Sequence, residues 1–139
     1  MTEVIEPYGI LPTVAALADP IAEALRGVRY HAVEADLQAA VESALHASPD
    51  IRVGLIVREP RLSARDRPDF AVRGIDGLVI VECKVDGGTA AVARQLARYA
   101  EYPEVRVLFL ATTRLRHDAG VPRVIGGKPV RVVAYHGLP

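Results

Sequence analysis

A chain of 139 residues is the length of one ordinary domain. Half of its residues are hydrophobic and 24% are charged, so it can bury about two-thirds of its unfolded surface and falls outside the intrinsically disordered class. Seventeen basic residues balance seventeen acidic ones, which excludes a uniformly basic nucleic-acid binder. The charge is unevenly laid out, however. Residues 1–50 hold two Arg against eight acids, a balance of −6, and residues 51–139 hold thirteen Arg and two Lys against nine acids, a balance of +6. A basic block of this kind reads either as a polyanion-facing surface or as solvated arginine in an Arg- and Ala-rich composition. The lone cysteine, Cys83, rules out an intrachain disulfide and an all-cysteine metal site. No apolar run approaches the ~20 residues of a membrane span. The N-terminal stretch lacks a basic n-region and is broken by Pro12, Asp19, Pro20 and Glu23, so a cytoplasmic chain without a membrane partner is expected.

In chain order, residues 1–12 read as an irregular arm holding Pro7, Gly9 and Pro12. Residues 13–26 read as helical but interrupted at Pro20, with Asp19 as the cap of a second short helix that Gly27 ends. Residues 31–47 form the clearest helix, its apolar stripe running through Val33, Leu37, Val41 and Leu45. Ser48, Pro49 and Asp50 stop it. Residues 51–58 are β-branched and strand-like, 59–67 read as a polar hairpin connection, and 68–73 resume as a strand before a turn at Gly74 to Gly77. Residues 78–85, LVIVECKV, have the unbroken apolar run of a strand buried on both faces. Gly87 and Gly88 turn the chain, Thr89 is placed to cap the next helix, and that helix runs to Pro103. Residues 105–112 form another core strand, Arg114 to Gly120 is a polar connection, and 128–135 form a last strand. The expected class is α/β, one mixed sheet flanked by helices, with an arm over 1–30 and a core over 31–139 that ends in an extra strand.

The chemistry concentrates in LVIVECKV. Glu82 and Lys84 are two apart and share a face, while Cys83 points to the other as a small buried hydrophobe. Burying a carboxylate or an ammonium costs several kcal/mol unless it is paired or bound to a metal. Glu82 and Lys84 therefore form either an edge ion pair or part of a site. Asp69 follows Pro68, which fixes the backbone at a strand start. If 68–73 and 78–85 form a hairpin, Asp69 lies opposite Glu82. Two adjacent carboxylates repel, and a divalent cation such as Mg²⁺ or Mn²⁺ resolves that repulsion. Taken alone, Asp69 reads first as an ordinary turn aspartate.

The order Pro68-Asp69, twelve intervening residues, then Glu82-Cys83-Lys84 resembles the PD-(D/E)XK nuclease superfamily letter for letter. The surrounding helix, three strands, helix and strand look like its restriction-endonuclease-like αβββαβ core, over roughly residues 31–112. The resemblance implies a nuclease that hydrolyses DNA phosphodiester bonds and leaves a 5′-phosphate and a 3′-hydroxyl. It implies a Mg²⁺ or Mn²⁺ ion held by Asp69, Glu82 and the Cys83 carbonyl. Glu34 on the first helix is where the superfamily often supplies a third acid, and Lys84 would orient water or meet developing charge. Gln95 and Tyr99, one helical turn apart, are similar to the Gln-x-x-x-Tyr motif of RecB-like nucleases; otherwise they read as a half-buried Tyr beside a solvated Gln. Arg94 and Arg98 form a parallel row that either touches phosphates or pairs with Glu101. With Arg65 and Arg67 they are the candidate DNA contacts. A Holliday-junction-resolvase-like homodimer using residues 1–30 as its interface, and a non-catalytic DNA-binding domain of the same fold, are the alternatives. His31, His46, His117 and His136 lack metal-ligand spacing.

Overall fold

The apolar stripe of the first helix explains how the chain begins to pack. The computed structural model describes residues 5–6 and 9–137. A two-residue ribbon of β1 (Ile5–Glu6) and β2 (Gly9–Ile10) precedes α1 (Val14–Arg26). Thr13 caps α1 by accepting from the Ala16 N–H at 3.1 Å, and Asp76 from a distant turn accepts from the Val14 N–H at 2.8 Å. The helix does not break at Asp19–Pro20 as the sequence suggested. Val14, Leu17, Ile21 and Leu25 are all buried on one side, and that continuous burial outweighs the loss of one backbone donor at Pro20. Gly27 ends it as expected.

Next come α2 (Glu34–Ala47), a single 3₁₀ turn at Val53–Leu55 and a short β3 (Ile56–Arg58). The strand expected over 51–58 is thus mostly a turn, because Ile51 and Leu55 go inward four residues apart while Val53 is exposed. The hairpin of β4 (Phe70–Gly74) and β5 (Gly77–Lys84) follows. Gly77 is required there. Its φ is +149°, and a Cβ would come within 2.6 Å of the Glu104 carbonyl. Then come α3 (Thr89–Ala100), β6 (Val105–Thr112), α4 (Leu115–Gly120), β7 (Val124–Ile125) and β8 (Lys128–Ala134). Two points differ from expectation. Gly88, not Thr89, is the cap residue of α3, and the Thr89 hydroxyl donates to the Arg116 carbonyl at 3.4 Å. The polar connection after Arg114 contains a six-residue helix.

The sheet order is β3-β4-β5-β6-β8-β7. β3, β4 and β5 pair antiparallel, β5, β6 and β8 run parallel, and β7 closes the edge antiparallel to β8. The mixed α/β sheet and the helix–three strands–helix–strand order (α2, β3, β4, β5, α3, β6) are those expected. Val79, Val81 and Cys83 of β5 face α1 and α2, whereas Ile80 faces α3, so both faces are covered as the unbroken apolar run requires. α1 belongs to this same core. Its stripe faces the sheet, so a boundary at residue 30 separates nothing in the packing, and this stripe is not offered to a second copy. No helix among the described residues is long and apolar enough to cross a membrane.

Candidate active site

Pro68 prepares the site by withholding a donor. In the β4–β5 register Phe70 pairs with Val81, and continuing it two residues sets Pro68 opposite Cys83. A residue with an N–H would there extend the ladder to the Cys83 carbonyl; Pro68 has none. That leaves the Cys83 carbonyl without a ladder donor, while the Cys83 N–H donates to Asp69 Oδ2 at 2.7 Å. The Asp69 N–H in turn donates to Glu82 Oε1 at 3.1 Å. The two carboxyl groups are thereby held against each other at the end of the sheet. Lys84 Nζ lies 3.4 Å from Glu82 Oε2, and the Glu82 side chain is only 5% exposed. The alternation of β5 places Glu82 and Lys84 on the α3 face and the Cys83 side chain among the apolar residues of the other.

Burial dominates the electrostatics. It pushes the Glu82 carboxyl up to about 8, helped by the charge of Asp69 and opposed by Lys84. It pushes Asp69 up to about 6, with the charges of Glu34 and Glu59 adding and the Cys83 N–H opposing. Burial likewise raises the Cys83 thiol, which leaves it protonated and inert.

The three-carboxylate cluster expected of Glu34, Asp69 and Glu82 is not formed. Among the described residues no three His, Cys, Asp or Glu side chains come together as a metal cluster. Glu34 sits in the first turn of α2, close enough for its charge to act on Asp69. The residue that touches Asp69 is Gln38, one turn further along that helix, whose Nε2 donates to Asp69 Oδ1 at 3.1 Å. Gln38 was legible in principle, since it shares a helix face with Glu34. Each of the four oxygens of Asp69 and Glu82 thus has one protein partner. A carboxylate oxygen has a second lone-pair direction left for a hard cation, and the donor set fits Mg²⁺ or Mn²⁺.

Gln95 and Tyr99 meet: the Gln95 amide donates to the Tyr99 hydroxyl at 2.9 Å. Tyr99 is buried rather than half-buried. Burial and the nearby charges of Glu82 and Asp69 raise its phenol, which puts α3 over the acid pair. Of the four candidate DNA-binding arginines, Arg65, Arg67 and Arg94 are exposed. Arg98 pairs with Asp66 rather than Glu101: its Nε donates to Asp66 Oδ1 at 3.3 Å, and its side chain stays 37% exposed. The Tyr102 hydroxyl donates to the other Asp66 oxygen at 2.7 Å. These bonds hold the Asp66 carboxyl below the usual carboxylate range and fasten the connection between β3 and β4 onto α3.

The loop after the ECK strand is fastened by a group that spacing alone passed over. His117 is fully buried; its Nδ1 lies 2.7 Å from the Thr112 hydroxyl and its Nε2 2.8 Å from the Gly87 carbonyl. Thr112 Oγ1 also accepts the Arg114 N–H at 3.1 Å. A neutral ring with its proton on Nε2 satisfies every partner at once. His117→Ala is expected to destabilise the protein by about 3 kcal/mol, since it leaves a cavity and deprives the buried Thr112 hydroxyl of its acceptor. A urea titration reads this as a lower midpoint at unchanged slope; an unchanged midpoint would mean these bonds carry no stability.

No protein-family model and no curated protein matches the chain. Among solved structures, the small subunit of a heterodimeric restriction endonuclease matches with a TM-score of 0.40 and 14% sequence identity. The match covers 57% of this chain and 52% of that subunit, so the chain spans about half the length of the protein it resembles.

Proposed function

We propose that the chain is a metal-dependent deoxyribonuclease of the PD-(D/E)XK kind, working at the end of the sheet where β5 finishes. The observation that carries this reading is the convergence of Asp69, Glu82 and Lys84 at a strand end where Pro68 withholds the ladder donor. A structural ion pair needs one acid for one lysine. Here two acids, Asp69 and Glu82, share the single Lys84, so ionising both leaves one negative charge that a cation would offset.

Asp69, Glu82 and the Cys83 carbonyl would hold the ion. When bound, Mg²⁺ or Mn²⁺ polarises a phosphate oxygen and lowers the pKa of a coordinated water. The chain's own residues do the rest. Gln38 and the Cys83 N–H fix the two Asp69 oxygens in place. Lys84 presents its ammonium where negative charge develops on a phosphate. Tyr99, held by Gln95, covers the α3 side and keeps the dielectric low.

The test is cleavage of labelled single-stranded, duplex, flap and four-way DNA in Mg²⁺, Mn²⁺ and EDTA. Metal-dependent cleavage leaving a 5′-phosphate and a 3′-hydroxyl is expected, and no cleavage of any substrate by pure protein overturns the reading. The arginines make a separate prediction. On duplex in Ca²⁺, Arg65→Ala with Arg94→Ala should flatten the log–log salt dependence by about 0.9 per lost phosphate contact. Arg98→Ala should act through stability instead, because its partner is Asp66. Equal slopes for wild type and the double variant would mean that Arg65 and Arg94 are merely solvated.

A further inference from the structure

The edge that carries the acid pair continues beyond it. β5, β6 and β8 run parallel and end side by side at Lys84, Thr112 and Ala134. Their ends are tied by the Thr113 N–H to the Lys84 carbonyl at 3.0 Å and the Tyr135 N–H to the Thr112 carbonyl at 2.8 Å. At the far end lies a cavity of about 720 Å³ lined by Val28, Arg29, Tyr30, Ala134, Tyr135 and His136. Along the sheet edge Ala134 is two strand spacings, about 10 Å, from Lys84, and the cavity opens on the α1 side of that edge. The connection from α1 to α2 joins the two places. At one end the Tyr135 hydroxyl donates to the Leu25 carbonyl at 2.7 Å, and at the other α2 opens with Glu34 and holds Asp69 through Gln38.

The lining is an aromatic surface with cations at its rim. Tyr30 is 43% exposed, leaving part of an aromatic ring open at the mouth of the cavity. Arg29 and His136 beside it are exposed. The first fifty residues hold only two basic residues, Arg26 and Arg29, and both lie at this edge, in the last turn of α1 and just after it. The acidic half of the chain thus places its positive charge at the sheet edge that also carries the acid pair.

We propose that this cavity receives an unpaired base of a DNA strand, stacked on Tyr30 with Arg29 against the adjoining phosphate. The proposal rests on reading the neighbouring acids as a DNA-cleaving site, and it names the substrate: single-stranded DNA or a frayed end. Stacking on an aromatic face accepts any base, because every base has a π-face, and a paired base inside a duplex cannot reach it.

The experiment uses a single-stranded oligonucleotide carrying 2-aminopurine, and a blunt duplex for comparison, in EDTA so that no turnover occurs. Wild type and Tyr30→Phe are expected to quench the fluorophore. Tyr30→Ala should lose the quench and bind the single strand roughly tenfold more weakly, with duplex affinity unchanged. Arg29→Ala should flatten the salt dependence on the single strand by about 0.7. A quench retained in Tyr30→Ala, or equal losses on single strand and duplex, overturns the proposal. A parallel assay in Mg²⁺ separates the two readings. Tyr30-dependent quenching without cleavage rejects the nuclease and keeps the base pocket; cleavage with Tyr30-independent binding rejects the pocket alone.

Discussion

Replacing Glu82 with Gln is expected to lower Mg²⁺-supported DNA cleavage by roughly 10³-fold, the scale on which removing one fixed electrostatic partner of a transition state is felt. The substitution keeps the shape, and an amide oxygen still accepts the Asp69 N–H that Glu82 Oε1 now accepts. The amide nitrogen then faces Lys84, which lies 3.4 Å from Glu82 Oε2, so one charge is lost and one ammonium is released. Asp69→Asn should cost a similar factor in rate but also some stability. Asp69 accepts from Gln38 on one oxygen and from the Cys83 N–H on the other, and an amide accepts on only one side. Lys84→Ala should lower kcat while leaving DNA affinity in Ca²⁺ nearly unchanged, because its partner is the charge that develops during reaction. Wild-type rates for purified Glu82→Gln and Asp69→Asn would remove the acid pair from the chemistry.

What could be read from the sequence was the part in which local pattern and tertiary demand coincide. LVIVECKV announces itself because charges on an apolar strand need a partner, and the hairpin turn at Gly74 to Gly77 brings Asp69 to Glu82 by register alone. The core strand over 105–112 follows from its unbroken apolar run. The misread parts depend on partners far along the chain. Pro20 looks like a helix break until Leu17, Ile21 and Leu25 are seen buried on one side. Nothing near Arg98 points to Asp66, 32 residues earlier. His117 shows no metal-ligand spacing because its partners are a hydroxyl and a carbonyl. The short strand β7 hides before Gly126-Gly127, whose φ values of 59° and 76° fit a two-residue hairpin turn. Glu34 reached the right neighbourhood, but the contact itself belongs to Gln38, since contact depends on side-chain direction as well as on the helix face.

The second large effect is on stability, and its sign follows from the raised carboxyls. Unfolded, Asp and Glu lose their protons near pH 4. Folded, Asp69 is pushed up to about 6 and Glu82 up to about 8, chiefly by burial. Between about pH 4 and about pH 8 the folded chain therefore binds more protons than the unfolded one, and stability falls as pH rises through that window. The loss should amount to a few kcal/mol and level off above about pH 8. Asp66, held below the usual range, acts only at the acid end, where its stabilising contribution is lost as pH falls. In EDTA the unfolding midpoint should thus drop from pH 5 to pH 8.5, and Glu82→Gln, which carries no titrating group there, should be the more stable protein at pH 8.5 and nearly equal to wild type at pH 5. Mg²⁺ should reverse the drop, because a cation held by ionised acids stabilises the folded state by RT ln(1 + [Mg²⁺]/Kd), and at pH 5 it competes with protons for the same oxygens. Thermal unfolding at both pH values, with and without Mg²⁺, measures all four corners. A Mg²⁺ shift of equal size at pH 5 and pH 8.5, or one that survives Glu82→Gln intact, would place the ion somewhere other than between Asp69 and Glu82.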